Sequence, residues 1–238
     1  KKLFKNDLSD KGWTIISINE KIKLESLLQD FILQLSKNNL INKEFIKHKI
    51  KNISDLRVNA KKIDDEFINL IRKTYLKDFA LKSISLFRNH IKLIFGNEIL
   101  LQKFPQIQVH IPNRSTTKTL PHTEIMAGHS PYTYNIWIPF HDILDDSGIF
   151  LIDDALSVKL SDTEIKKKII SREKLLDKHK FFPNLRFGQA LLFNSFVFHG
   201  SQFYKSKYSR ISIDVRMQKY SMPLLQKFND FFSYVSIK

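Results

Sequence analysis

The ten residues "SRISIDVRMQ" (209–218) alternate without a break: Arg210, Ser212, Asp214 and Arg216 fall on one side of an extended chain, and Ile211, Ile213 and Val215 fall on the other. A period of two with β-branched residues on one face is the pattern of a strand whose apolar side is buried. Four successive polar positions are no packing surface, so the other side faces water or a polar cavity, and a cavity is the better match. There an arginine offers a planar fork of donors matched to a carboxylate, and Ser212 adds a hydroxyl to the same anion.

Upstream, "NSFVFHGSQ" (194–202) ends an apolar run at His199, and Gly200 turns the chain where another element can come close. Further back, "LPHTEIMAGH" (120–129) places His122 and Glu124 two positions apart in a stretch that Pro121 and Gly128 keep from being a helix. In an extended segment residues i and i+2 share a face, so an imidazole and a carboxylate aim at one point. Such a claw is common by chance and needs a third ligand, for which His199, 77 residues on, is the candidate. Two histidines and one carboxylate on one side of an iron leave positions open for a co-substrate and oxygen, as in the facial triad of non-haem Fe(II) oxygenases. The chain has no cysteine, so any metal must be held by histidine and carboxylate.

Around these motifs the chain divides in two. Up to Gly96, apolar residues recur at helical spacing, as in "KIKLESLLQDFILQLSKNN" (21–39: Ile22, Leu24, Leu27, Leu28, Phe31, Leu35) and "LKDFALKSISLFRNHIKLIFG" (76–96). After it come "EILLQKF", "PQIQVHI", "YTYNIWI", "GIFLID", "QALLFN", "FVFHG" and "RISIDVRMQ", short runs separated by turn-forming residues. The expected fold is α+β: a jelly roll or barrel core with a helical N-terminal half packed on it. In residue terms this is one domain over 1–238, with a helical region at 1–97, a β core at 98–220, a helical or loop insert near 156–185, and a C-terminal tail at 221–238 that only packs.

The net charge of +15 invites a nucleic-acid reading. The excess is spread evenly, with 20 Lys and Arg against 12 Asp and Glu in residues 1–100 and 19 against 12 in 101–238. No basic arm emerges, so the expected partner is a small molecule, with an anionic one suited to the lysine excess, rather than nucleic acid. No apolar run has the roughly 18 residues of a membrane span, and "KKLFKNDLSD" lacks a signal peptide's apolar core, so a cytoplasmic protein is expected.

"PHTE", then "HG" 77 residues on, then an arginine in "RxS" eleven residues after that histidine, resemble the Fe(II)/2-oxoglutarate-dependent oxygenases, and within them the phytanoyl-CoA hydroxylase-like branch, which includes oxygenases of antibiotic and cell-surface carbohydrate biosynthesis. The resemblance covers about residues 105–220. It implies a double-stranded β-helix, Fe(II) held by His122, Glu124 and His199, and the distal carboxylate of 2-oxoglutarate held by Arg210 with Ser212. It also implies a reaction in which O2 and 2-oxoglutarate are consumed to hydroxylate or otherwise oxidise a small molecule. Two departures stand out. "DDSGIFLIDDALS" (145–157) lacks the Pro and His of the family's "PGSH"-like turn, and the acidic ligand is Glu rather than the usual Asp, one methylene longer. A carboxylate of either length separates the chain from the related halogenases.

Other residues are placed by the same reasoning. Asn135 shares a face with Trp137 and, if that face looks inward, is expected to touch 2-oxoglutarate or substrate. His110 and Arg114, shortly before the claw, read as a strand end and an exposed loop, with a substrate-facing rim as the functional alternative, and His129 and His141 are expected on the surface. Arg216 stands roughly 20 Å from Arg210 by strand rise and is expected at the substrate end, away from the co-substrate. Three rivals remain: a nucleic-acid dealkylating dioxygenase, suggested by R-x-S-x-D-x-R against that class's R-x-N-x-T-x-R, a cupin-like metal enzyme without 2-oxoglutarate, and a non-catalytic jelly-roll binding module.

Overall fold

The computed structural model describes residues 2–18, 21–37, 78–111, 117–165, 176–202, 210–225 and 229–237. In chain order the elements are α1 (Lys2–Lys11), β1 (Trp13–Ser17), α2 (Lys21–Lys37), α3 (Phe79–Ser85), α4 (Arg88–Phe95), β2 (Glu98–Gln102), β3 (Gln106–His110), β4 (Tyr134–Pro139), β5 (Phe150–Ile152), α5 (Asp154–Ile165), β6 (Gln189–Asn194), β7 (Phe198–Gly200), β8 (Arg210–Lys219) and β9 (Phe232–Ser236). All seven runs expected to be strands contain one.

Among the described residues seven strands form one antiparallel sheet in the order β1-β6-β4-β8-β2-β9, with β3 beside β2 along the same edge of the long β8; β5 and β7 form a second, two-stranded sheet. The alternation in β8 sets the layers. Ile211, Ile213, Val215 and Met217 join Ile136, Ile138 and Leu192 against α2, α3 and α4, whose Leu24, Phe31, Phe79, Ile84 and Ile91 are buried in the same core, with Phe87 from the α3–α4 junction. On the opposite face the sheet changes character from strand to strand. Over β1, β6 and β4 it is mostly apolar, and Trp13, Leu191, Phe193 and Trp137 pack against Leu151 of the small sheet. Over β8, β3 and β2 it carries Arg210, Ser212, Asp214, Arg216, Gln106, Gln108, His110 and Gln102. The polar face of β8 therefore lies at the boundary where the small sheet stops covering the large one.

Two strands fall where none was expected. β1 lies within the region read as helical and pairs with β6, Trp13 to Phe193 through Ser17 to Gln189. β9 lies in the tail and pairs with β2, Glu98 to Ser236 through Gln102 to Phe232. The insert begins as α5 at Asp154, and residues 166–175, with most of its charged run, lie outside the described residues. Among the described residues no helix is long and apolar enough to cross a membrane.

Candidate active site

His122 and His199 meet through their backbones: each amide donates to the other's carbonyl at 3.0 Å, and the rings lie 4.3 Å apart between centroids. This single bridge, not a strand, holds His122 extended. Glu124 already belongs to a turn, closed by Ala127 N to Thr123 O at 3.1 Å and His129 N to Glu124 O at 2.9 Å. The i, i+2 spacing thus delivers the claw by an extended residue followed by a turn. One ligand atom from each of His122, Glu124 and His199 lies within 4.8 Å of the others.

Both imidazoles are oriented by backbone carbonyls. His122 Nδ1 lies 2.8 Å from Leu120 O and His199 Nδ1 3.1 Å from Val197 O, so each donates its Nδ1–H to a carbonyl two residues back and turns Nε2 towards the site. Burial, and then the neighbouring His199, pull the His122 pKa down to about 4, so it is neutral at pH 7.

Glu124 is fully buried. Arg216 Nε donates to Oε2 at 2.7 Å and Arg216 Nη2 to Oε1 at 3.2 Å, while Asn135 Nδ2 donates to Oε1 at 2.7 Å. His199 Nε2 stands 3.4 Å from Oε1 and His129 Nε2 3.5 Å from Oε2. Burial pushes the carboxyl upward, but the His199 and Arg216 interactions outweigh it and hold its pKa well below the usual range. Arg216 grips the Glu124 carboxylate instead of standing away at the substrate end, and Asn135 donates to the same carboxylate. The cause is the register of β4 on β8, which sets Asn135 directly opposite Arg216.

A cavity of about 560 Å³ opens beside the triad, bounded by His110, Thr119, His122, Arg210, Asp214 and Arg216 among others. Arg210 is buried; its Nη1 donates to Ser147 O at 2.8 Å and Gly148 O at 2.6 Å, and its guanidinium lies 5.4 Å from the Trp137 ring centroid. Trp137 is the cross-strand neighbour of Asp214, so the side chain leans back along β8 and its charge lies nearer the triad than the Cα spacing suggests. Ser212 Oγ and Asp214 Oδ1 are buried without a hydrogen-bond partner. Burial raises the Asp214 pKa to about 6 against the opposing pull of Arg216, and burial, then Arg210 and Lys118, lower that of His110 to about 3.

His110 lines the cavity, and Arg114 lies outside the described residues. His129, expected on the surface, stands behind Glu124 with its ring 5.6 Å from Phe231, and His141 is buried with Nδ1 2.8 Å from Asp142 O. Gln102, which escaped notice in the sequence, accepts from Arg216 N at 3.0 Å and Nη1 at 3.4 Å. Its signal was available: it follows Leu100 by two in "EILLQKF" and interrupts an apolar strand. A larger cavity, of about 710 Å³, lies among α3, α4 and β1, and none of these residues lines it.

No family model matches the chain, and no curated protein matches it in sequence. Its fold is nevertheless shared with solved structures. The nickel complex of the non-heme monooxygenase ThoJ is 11% identical, covering 91% of this chain and 77% of that one, at a TM-score of 0.55. The non-heme alpha ketoglutarate dependent carbocyclase SnoK from nogalamycin biosynthesis is 12% identical, covering 99% and 96%, at 0.55. The epimerase SnoN, in complex with Fe3+, alpha ketoglutarate and nogalamycin RO, is 9% identical, covering 100% and 94%, at 0.53. The fold of this chain is thus one used by non-haem iron and 2-oxoglutarate-dependent enzymes.

Proposed function

We propose that the chain is an Fe(II)- and 2-oxoglutarate-dependent oxygenase of the phytanoyl-CoA hydroxylase-like branch, built as a single domain on a double-stranded β-helix, that uses O2 to hydroxylate or otherwise oxidise a small molecule. The observation that carries this reading is the approach of His122, Glu124 and His199 at a cavity that also holds the buried Arg210. The donor set fits Fe(II): two neutral imidazole nitrogens and one carboxylate, with no thiolate. The unpartnered Ser212 Oγ, on the same face as Arg210, fits a donor to a bound carboxylate.

When bound, the metal would supply oxygen activation coupled to oxidative decarboxylation of the co-substrate to succinate. The chain supplies the rest. His122, Glu124 and His199 hold the metal from one side. Arg210 binds the distal carboxylate of 2-oxoglutarate with Ser212 beside it, oriented by the Ser147 and Gly148 carbonyls and shielded from water by Trp137. Gln106, Gln108, His110, Thr117 and Thr119 give the remaining wall hydrogen-bonding groups beside the apolar Ile107, Val109 and Ala127, which suits a small polar substrate.

The test is anaerobic addition of Fe(II) and 2-oxoglutarate to metal-free protein, followed by visible absorption. The weak charge-transfer band of the chelate is expected in the wild type and lost in His199→Ala, whose thermal unfolding should remain cooperative because alanine keeps both backbone bonds to His122. A wild type without the band rejects the reading.

A further inference from the structure

We propose that Arg216 is a positioning residue that restricts Glu124 to binding the metal through one oxygen, compensating for a glutamate where the resembled family has aspartate. This rests on the metal-centre reading above. Glutamate's extra methylene gives its carboxylate room to rotate and offer both oxygens to one ion. Arg216 closes that route. Its Nε and Nη2 reach Oε2 and Oε1 at 2.7 and 3.2 Å, so the fork spans the in-plane edge between the two oxygens. A chelating metal requires that same edge, and the two modes exclude each other. Asn135 adds a third donor on Oε1, which further fixes the plane of the group.

Arg216 is itself held. Gln102 Oε1 accepts from its backbone N and from Nη1, Asp214 Oδ2 lies 3.6 Å from Nη2, and the β4 register pins Asn135 opposite. A metal would therefore have to reach Glu124 from the side away from the fork, through one oxygen. The benefit is a kept coordination position. Two imidazoles and one carboxylate oxygen leave room for a chelating keto acid and O2, whereas a second carboxylate oxygen would take one of those places.

The probe is Mn(II), with metal-bound exchangeable water counted by water-proton relaxation and 2-oxoglutarate binding measured by calorimetry on the Mn(II)-loaded protein. Arg216→Gln should hold Mn(II) more tightly, with one exchangeable water fewer than wild type, and bind 2-oxoglutarate roughly 10-fold more weakly or worse. A merely structural role would weaken metal binding instead. Arg216→Lys keeps the charge but cannot span both oxygens, so it should also lose one water.

An unchanged water count in Arg216→Gln, or a wild-type count in Arg216→Lys, overturns the proposal. Should Arg216→Gln not fold, the lysine variant and the wild type decide: a wild type already carrying one water fewer than three protein ligands leave overturns it as well. A wild type that does not retain Mn(II), or a His199→Ala variant that retains it unchanged, fails the metal-centre reading itself, and the proposal falls with it.

Discussion

Arg210 contributes at two places at once. Its Nη1 ties down the Ser147 and Gly148 carbonyls while the guanidinium plane rests on Trp137, so the fork is oriented before any anion arrives. If it holds the distal carboxylate, Arg210→Ala should cost about 2–5 kcal/mol of 2-oxoglutarate binding, about 30- to several-thousand-fold in affinity, as for removal of one partner of a buried charge pair. Arg210→Lys keeps the charge without the fork and should lose less, and neither variant should release the metal. Calorimetry on the metal-loaded variants measures this, and an unchanged affinity in Arg210→Ala rejects the assignment. The grouping of His122, Glu124 and His199 was legible in the sequence because few residue types serve as metal ligands and their local spacing is telling. The partner of Arg216 was not. Strand rise gives the distance between Cα atoms but neither the lean of a long side chain nor the residue opposite on a neighbouring strand.

The same limit explains which elements escaped the sequence. The seven expected strands are each bounded by turn residues and, apart from the edges, buried on both faces. β1 is five residues long and sits between two helices, so its alternation is too brief to compete with the helical period around it. β9 alternates, but with exposed Tyr234 at its centre it reads as a loose tail. What holds β1 in place is the turn before it. Gly12 adopts φ +78°, and a Cβ there would lie 2.7 Å from Asp154 Cβ, 2.8 Å from Val197 Cγ2 and 2.9 Å from Asn194 Nδ2. Gly96 has φ +84° with nothing within 4 Å of the same added atom. Both alanine substitutions pay for the backbone conformation, on the order of 1–3 kcal/mol, and only Gly12→Ala also meets packed atoms. Gly12→Ala should therefore destabilise by at least about 1 kcal/mol more than Gly96→Ala in urea unfolding. Equal losses would mean that the α1–β1 turn is not packed against α5 and β6 as described.

Across the whole molecule, acid acts through buried histidines. The His110 and His122 pKa values are lowered to about 3 and about 4, whereas in the unfolded chain both protonate near 6.5. Between those values the unfolded state binds more protons, so stability falls as pH drops from 6.5 towards 4, by about 1.4 kcal/mol per pH unit for each group. Asp214, raised to about 6 from 3.8, acts in the opposite sense over its own window, because the folded state takes up the proton first. Two histidines outweigh one aspartate, and Glu124, whose pKa is lowered, adds its own loss below 4.5. Metal-free protein should lose stability steadily from pH 6.5 to 4, and His110→Gln should flatten the slope by about 1.4 kcal/mol per pH unit. Denaturant titrations at successive pH values measure it, and an unaltered slope would show that His110 is protonated in the folded state.

The reciprocal backbone bonds between His122 and His199 have a consequence for the order of events in the chain's life. The two ligands are distant in sequence, and the contact that brings their rings together also fastens the short sheet to the loop ahead of β4. Closing so long a loop is entropically costly and is repaid only once the strands between are in place. On the proposed reading, iron would find His122, Glu124 and His199 together only once the strands between them have paired. A half-folded copy would then have no assembled centre on which to generate an oxidant, and its own side chains would be spared that chemistry until the cavity exists to direct it.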